Sequence, residues 1–172
     1  MSLKKRIVAR LNRTAWVSNR VYTSKHGPAA GLKRQGGMGW LPSFMPGMYE
    51  GRQEVAFLDS LPWHGLTVYD VGGDQGLFAL FFAHRVGEGG HVVVFEPNPR
   101  SRERIERNVR VNNFRHVRIV PLGLGEMRGT LEFTVPLWDP SRGTAIEAIA
   151  AHIMDEGGAE VSRIEVNSLD DE

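Results

Sequence analysis

"VYDVGGDQGLFAL", residues 68–80, starts as a buried strand and ends as a buried helix. The turn between them, Gly72-Gly73-Asp74-Gln75-Gly76, holds three glycines and an aspartate. Glycines allow the sharp reversal and leave bare backbone against which a ligand can lie. At the start of an α/β unit, such a turn sits where ligands gather, outside the carboxyl ends of the strands. The reading of the whole chain depends on what this turn holds.

The pattern continues on both sides. Upstream, "YEGRQEVAFLDSL" reads as a helix, with Val55, Leu58 and Leu61 at helical spacing, ended by "PWHG". Downstream, "HVVVFE" is a strand, "PRSRERIERNVRVNN" a helix opened by Pro99, and "HVRIVPLG" a strand. In that helix Glu103 precedes Arg107 by four residues and Glu106 precedes Arg110, an exposed-face pattern, while Ile105 and Val109 face the sheet. Two strand–helix–strand units with nearly continuous apolar strands predict a parallel α/β sheet with helices on both faces. Right-handed crossovers set its strands in the order 3-2-1. "GTLEFTVP" and "SRIEVNSL" read as two further strands flanking a short helix in "TAIEAIAAHIMDEGG".

Phosphate is the common occupant of such a turn, and the residues here do not suit it. A dinucleotide fingerprint counted from Gly72 would need glycine at Asp74 and Leu77, and no Gly-Lys-Ser/Thr follows for a P-loop. A helix N-terminus attracts anions, yet Asp74 places a carboxylate there and Asp70 adds another at the strand end. Two acids suit a ligand with positive charge. S-adenosylmethionine carries an ammonium and a sulfonium, and its one carboxylate can take a backbone N–H at the helix start. Glu96, at the tip of the second strand, is placed to accept hydrogen bonds from ribose hydroxyls. NAD enzymes use an acid in the same way, so an NAD-type oxidoreductase stays as the alternative, as does a non-catalytic module that binds a nucleoside or a partner. At the third strand tip, Leu122 can cover a ring face and the backbone near Gly123 can reach ring nitrogens. A purely structural alternative is that Gly72 and Gly76 only allow strand and helix to pack closely.

"VYDVGGDQGLFAL", "VVVFEPNP", "RNVRVNN", "VPLGLGE" and "VNSLDD" occur in an order and spacing that resemble the FkbM-type methyltransferases, over about Tyr49 to Glu172. The resemblance implies a Rossmann-like class I fold and an S-adenosylmethionine-dependent O-methyltransferase acting on hydroxyls of sugars or natural products. It carries Asp70, Gly72, Asp74, Gly76 and Glu96 over as cofactor contacts. The full candidate set adds Gly73 and Gln75 in the turn, Pro97 and Asn98 after the second strand, and Leu122 and Gly123 after the third. The family usually has asparagine where Asp74 stands. Asn108 and Asn112 belong to the resemblance, and such asparagines also pin helices to loops. No metal ligand set is read. None of the six histidines has a spacing that marks it as a base, so no catalytic residue is named. Asp170 and Asp171 near the end are read either as approaching the site or as an exposed acidic terminus.

Composition sets the remaining expectations. The 172 residues fit one folded unit, there is no cysteine, and no stretch approaches the roughly 20 apolar residues that span a bilayer. With no secretory signal evident, a cytoplasmic location is expected. The net charge of +1 hides an asymmetry: Met1–Tyr49 holds nine Lys or Arg and no acid, and all 20 acids follow. Residues 1–48 are therefore read as a basic helical arm and a Gly/Pro-rich loop, and 49–172 as the cofactor-binding domain. The arm is expected to fold back on the acidic body or to meet an anionic partner or membrane surface, standing apart from the pocket. Met38, Trp40, Phe44, Met45 and Met48 mark a lid or a pinned loop. A sheet of order 3-2-1 leaves the outer edge of its first strand bare, so the chain is read as the first half of a larger domain, and that edge is expected to recruit a complementing chain or a second copy.

Overall fold

The computed structural model describes residues 19–36, 52–137 and 143–171. The helical reading of the first 18 residues and the Met38–Met48 cluster lie outside the described residues. Two short strands come first, β1 (Val21–Thr23) and β2 (Lys33–Gln35), then helix α1 (Arg52–Asp59). The core alternates: β3 (Thr67–Val71), α2 (Leu77–Val86), β4 (His91–Phe95), α3 (Pro99–Val111) and β5 (Val117–Val120). After it come β6 (Gly123–Leu124), β7 (Gly129–Pro136), α4 (Glu147–Gly157) and β8 (Ala159–Asn167), then a 3-10 turn at Leu169–Asp171.

The strands β3-β4-β5 form a parallel sheet in that order, with Thr67 beside His91 and Val92 beside Val117. Side chains of successive strand residues point to opposite faces. Val68, Val92 and Val94 therefore share one face, where they pack with Ala79, Ala83 and Val86 of α2 and Ile105 of α3. Val93, Phe95 and Val120 share the other face, where Leu122 and Leu124 pack against them. The expectation of helices on both faces needs correction: both crossover helices lie on one face. Two right-handed crossovers stepping in the same direction must put their helices on the same side. On the opposite face Tyr69 and Val71 are 50% and 59% exposed, and the Tyr69 ring stacks on Phe95.

The two C-terminal strands do not join this sheet. β7 pairs antiparallel with β8, and β8 pairs parallel with β6. Among the described residues β3 has a neighbour only on the β4 side. The basic segment also departs from its reading as helix and loop. β1 and β2 form a small antiparallel hairpin with Tyr22 opposite Arg34, and side chains of α3 hold β2 in place. Asn112 accepts from the Lys33 N–H and donates to the Lys33 carbonyl, and Asn108 accepts from the Gln35 N–H at 2.8 Å. The boundary drawn near residue 48 therefore does not mark a break in packing.

The open edge predicts an exchange pattern. The N–H groups of Val92 in β4 and of Glu96 just after it point to the β5 side, and the Gly72 N–H points to Phe95. Alternation along β3 then aims the Tyr69 and Val71 N–H groups outward. By hydrogen exchange, Tyr69 and Val71 should be unprotected beside protected Asp70 and Val94. Strong protection of Tyr69 and Val71 in dilute solution would show that something covers the edge.

Candidate functional site

The carboxyl ends of β3, β4 and β5 bring the candidate residues to one end of the sheet. Asp70 is the penultimate residue of β3, Glu96 follows β4 directly, and the Glu96 N–H bonds the Val120 carbonyl, which sets Pro121 and Leu122 beside it. The Phe95 carbonyl accepts from both Gly72 (2.8 Å) and Gly73 (3.4 Å), folding the turn back over β4.

The three glycines of the turn do different work. A Cβ on Gly73 would lie 2.4 Å from Val94 Cγ1 and 2.8 Å from Ile105 Cδ1. One on Gly76 would lie 3.1 Å from Ile105 Cγ1, and the residue has φ +75°. These two glycines let the turn sit on β4 and α3, so the packing alternative, which named Gly72 and Gly76, holds at Gly76 only. Gly72 is different: its φ is +78° and open space lies where its Cβ would be. Asp74 is also left-handed, with φ 45°, a conformation that Asp tolerates better than most residues.

Glu96 is only 5% exposed. Its Oε2 accepts from the Asp74 N–H and its Oε1 from the Asn98 N–H, both at 2.8 Å. Burial raises its pKa, while the two N–H groups act in the lowering direction. Each oxygen keeps a further lone pair, so two acceptor positions remain for hydroxyl donors. Asn98 caps α3 by accepting from the Arg100 N–H, with Pro99 at the first helical position. The Pro97 carbonyl accepts from Arg102, as does that of Glu96. Asn98 and Pro97 thus have structural duties beside any contact with a ligand.

Asp70 contrasts with Glu96. Its Oδ2 is buried with no hydrogen-bond partner, and burial pushes its pKa up to about 6. Beyond it, α2 begins at Gly76 with no side-chain cap on its first turn. Gln75 accepts from Asn108 through its carbonyl and from Arg34 through its side chain. Leu122 packs on Val93, Phe95 and Val120 and also lines a cleft of about 460 Å³ with Arg128, Thr130 and Glu165. No turn residue lines that cleft. Gly123 lies in β6, paired with Val166.

Two residues at the turn escaped the sequence reading. Arg34 lies 9% exposed, and Tyr22, beneath it, lies 8% exposed. The basic segment reaches the turn here, because its hairpin brings Arg34 to Gln75. Asp170 and Asp171 are exposed, and Asp171 accepts from Ser168.

The family described as Methyltransferase FkbM domain matches residues 70–171, more than half of the chain. The chain belongs to this family. Thirteen chains of solved structure are similar to it. One is a protein-L-isoaspartate O-methyltransferase, 24% identical, covering 59% of this chain and 28% of that one, with a TM-score of 0.35. Another is a SAM-dependent methyltransferase from Aquifex aeolicus, 16% identical, covering 65% and 81%, with a TM-score of 0.36. A third is fibrillarin from Aeropyrum pernix with natively bound S-adenosyl-L-methionine, 18% identical, covering 62% and 56%, with a TM-score of 0.36. The chain thus spans little more than a quarter of the first of these. A search of curated proteins finds no match.

Two measurements test this description. Gly73→Ala forces a methyl into Val94 and Ile105, so it should destabilise the chain by roughly 1–3 kcal/mol in urea denaturation. Asp70 gives a pH signature. Its folded pKa lies above the ordinary 3.8, so its contribution to stability is fully present below about pH 4 and is lost as pH rises through about 6. Between pH 7 and 4 the urea midpoint of the ligand-free wild type should rise relative to that of Asp70→Asn. A constant difference would show that Asp70 is not held in a desolvating site.

Proposed function

We propose that the turn and the three strand tips hold S-adenosylmethionine for methyl transfer to a hydroxyl of a sugar or natural product. The observation that carries this reading is the Asp70 carboxylate at the end of β3, desolvated and with an unpartnered oxygen on the Gly73 side of the turn. A buried carboxylate is costly unless a donor or a positive charge meets it. The cofactor's ammonium supplies both. Glu96 then accepts from the ribose hydroxyls through its remaining lone pairs, and Leu122 covers the adenine. The acceptor class rests on the family resemblance.

The bound cofactor supplies a methyl group already activated by its sulfonium. The part of this chain is to hold and orient. Asp70 fixes the amino-acid end, Gly72 lets the ligand approach the backbone, and Glu96 fixes the sugar. In-line displacement needs alignment and exclusion of water, which positioning groups supply, and the acceptor hydroxyl gives up its proton to a base or to solvent as the new C–O bond forms and the bond to sulfur breaks.

Calorimetric titration tests the reading. The wild type should bind S-adenosylmethionine in preference to NAD, and Asp70→Asn should weaken that binding by about 1.5–3 kcal/mol, as expected for loss of a charge-assisted hydrogen bond. The affinity of the wild type should also fall as pH drops below about 6, where Asp70 takes up a proton. Tighter binding of NAD, or unchanged affinity in a folded Asp70→Asn protein, would overturn the proposal.

A further inference from the structure

The buried face of the N-terminal hairpin is polar. Tyr22, Ser24 and Arg34 point inward from it, at 8%, 2% and 9% exposure. The Tyr22 hydroxyl, the Ser24 hydroxyl and Arg34 Nε are all buried without a hydrogen-bond partner. Buried groups of this kind each call for an explanation, and for Arg34 a ligand is one. The Arg34 guanidinium lies over the Tyr22 ring, 5.8 Å from its centroid, and one nitrogen donates to Gln75 Oε1 at 3.3 Å. The charged groups that face it are Asp74, which favours its charge, and Arg104, which opposes it. Burial lowers its pKa, so the charge stands in a poorly solvated place.

The position of Arg34 tells what it meets. Gln75 is the residue before Gly76, where α2 starts without a side-chain cap. The buried Arg34 cation meets the turn at Gln75, next to the uncapped start of α2. The Asp70 carboxylate, with its unpartnered Oδ2, stands at the end of β3 where the turn begins. A cation and an anion held apart by one glycine turn suit a zwitterion whose two charges are a few bonds apart, and an α-amino acid is the simplest such group. Inorganic phosphate suits it poorly, because Asp70 and Asp74 would repel it.

We propose that Arg34 binds the α-carboxylate at the methionyl end of the cofactor, opposite Asp70 on its ammonium. This rests on the function proposed above and goes further, because it gives the N-terminal hairpin a direct part in the site. Planar guanidinium and carboxylate match in a two-point contact, and Nε is the unused donor of that fork. Tyr22 holds the fork flat, and the α3 asparagines hold the strand that carries it.

The test compares ligands as well as variants, using the full chain and calorimetry. The ligands are S-adenosylmethionine, its decarboxylated form, and 5′-methylthioadenosine, which lacks the whole amino-acid part. The wild type should bind decarboxylated cofactor roughly tenfold to hundredfold more weakly than S-adenosylmethionine, the range expected for a charge-assisted contact. In Arg34→Met that difference should vanish while 5′-methylthioadenosine binds as in the wild type, and Arg34→Lys should recover part of it. Equal affinity of the wild type for the carboxylated and decarboxylated forms would overturn the proposal even if Arg34→Met does not fold. So would an equal loss of all three ligands in a folded Arg34→Met protein, which would make Arg34 a structural plug. A wild type that binds none of the three would instead overturn the cofactor reading itself.

Discussion

One buried carboxylate sets the shape of the site. Glu96 takes the N–H of Asp74 from the turn after β3 and the N–H of Asn98 from the start of α3. Two loops from neighbouring strands are thereby fastened to a single side chain that is nearly out of solvent. The left-handed backbone at Asp74 follows, since that residue must turn its N–H toward β4. The cap of α3 stands at the same residue, since Asn98 gives its N–H to Glu96 and accepts from Arg100 through its side chain. An acid at this tip reads from sequence as a ribose ligand. In the structure it first builds the wall, and only its remaining lone pairs are left for a ligand.

Asn108 carries this constraint outward. It is 1% exposed and faces two backbones: its oxygen accepts from Gln35 in the hairpin, and its nitrogen donates to the Gln75 carbonyl in the turn. Hairpin, helix and turn are thus joined through one side-chain amide. Removing it would leave a partly buried donor and a partly buried acceptor unmet, at up to about 1–3 kcal/mol each. Asn112, one helical turn on, repeats the grip at Lys33 and ties itself to the Asn108 carbonyl. Among the described residues the basic segment meets the acidic body through the amides of Asn108 and Asn112, with buried Arg34 near Asp74 as one electrostatic contact.

The alternation of apolar strands with helices was legible because parallel strands leave long runs such as "HVVVF" and the helices keep their own period. The residues of the glycine turn were legible as a set, but their separate duties were not. Nothing local distinguishes Gly73, pressed on Val94, from Gly72, which faces open space. The side on which the helices lie was hidden because Val93 and Phe95 are as apolar as Val92 and Val94. Leu122 and Leu124, rather than a helix, meet that second face. The hairpin was the least legible part. Its strands are three residues long, one of them reads Lys-Arg-Gln, and the partners that hold it stand 73 and 79 positions away. No window of sequence contains both halves of that interaction.

Among the described residues the site stands on a strand that is paired on one side only, which raises the question of what keeps Asp70 and the turn in place. A strand with a single neighbour is the softer part of a sheet, and the face bearing Tyr69 and Val71 is exposed. The fixing comes from beyond the strand. Gly72 and Gly73 are held by the Phe95 carbonyl, Asp74 by Glu96, and Gln75 by Asn108, so four consecutive turn residues each have a partner on β4, at its tip or on α3. Gly76 closes on Gly73 and sits against Ile105. Every one of these partners lies on the side of β4 and α3, away from the open edge. The geometry of the turn is therefore independent of whatever pairs with the outer edge of β3. The exposed edge and the polar site can then be occupied separately, one through backbone groups and the other through buried charges.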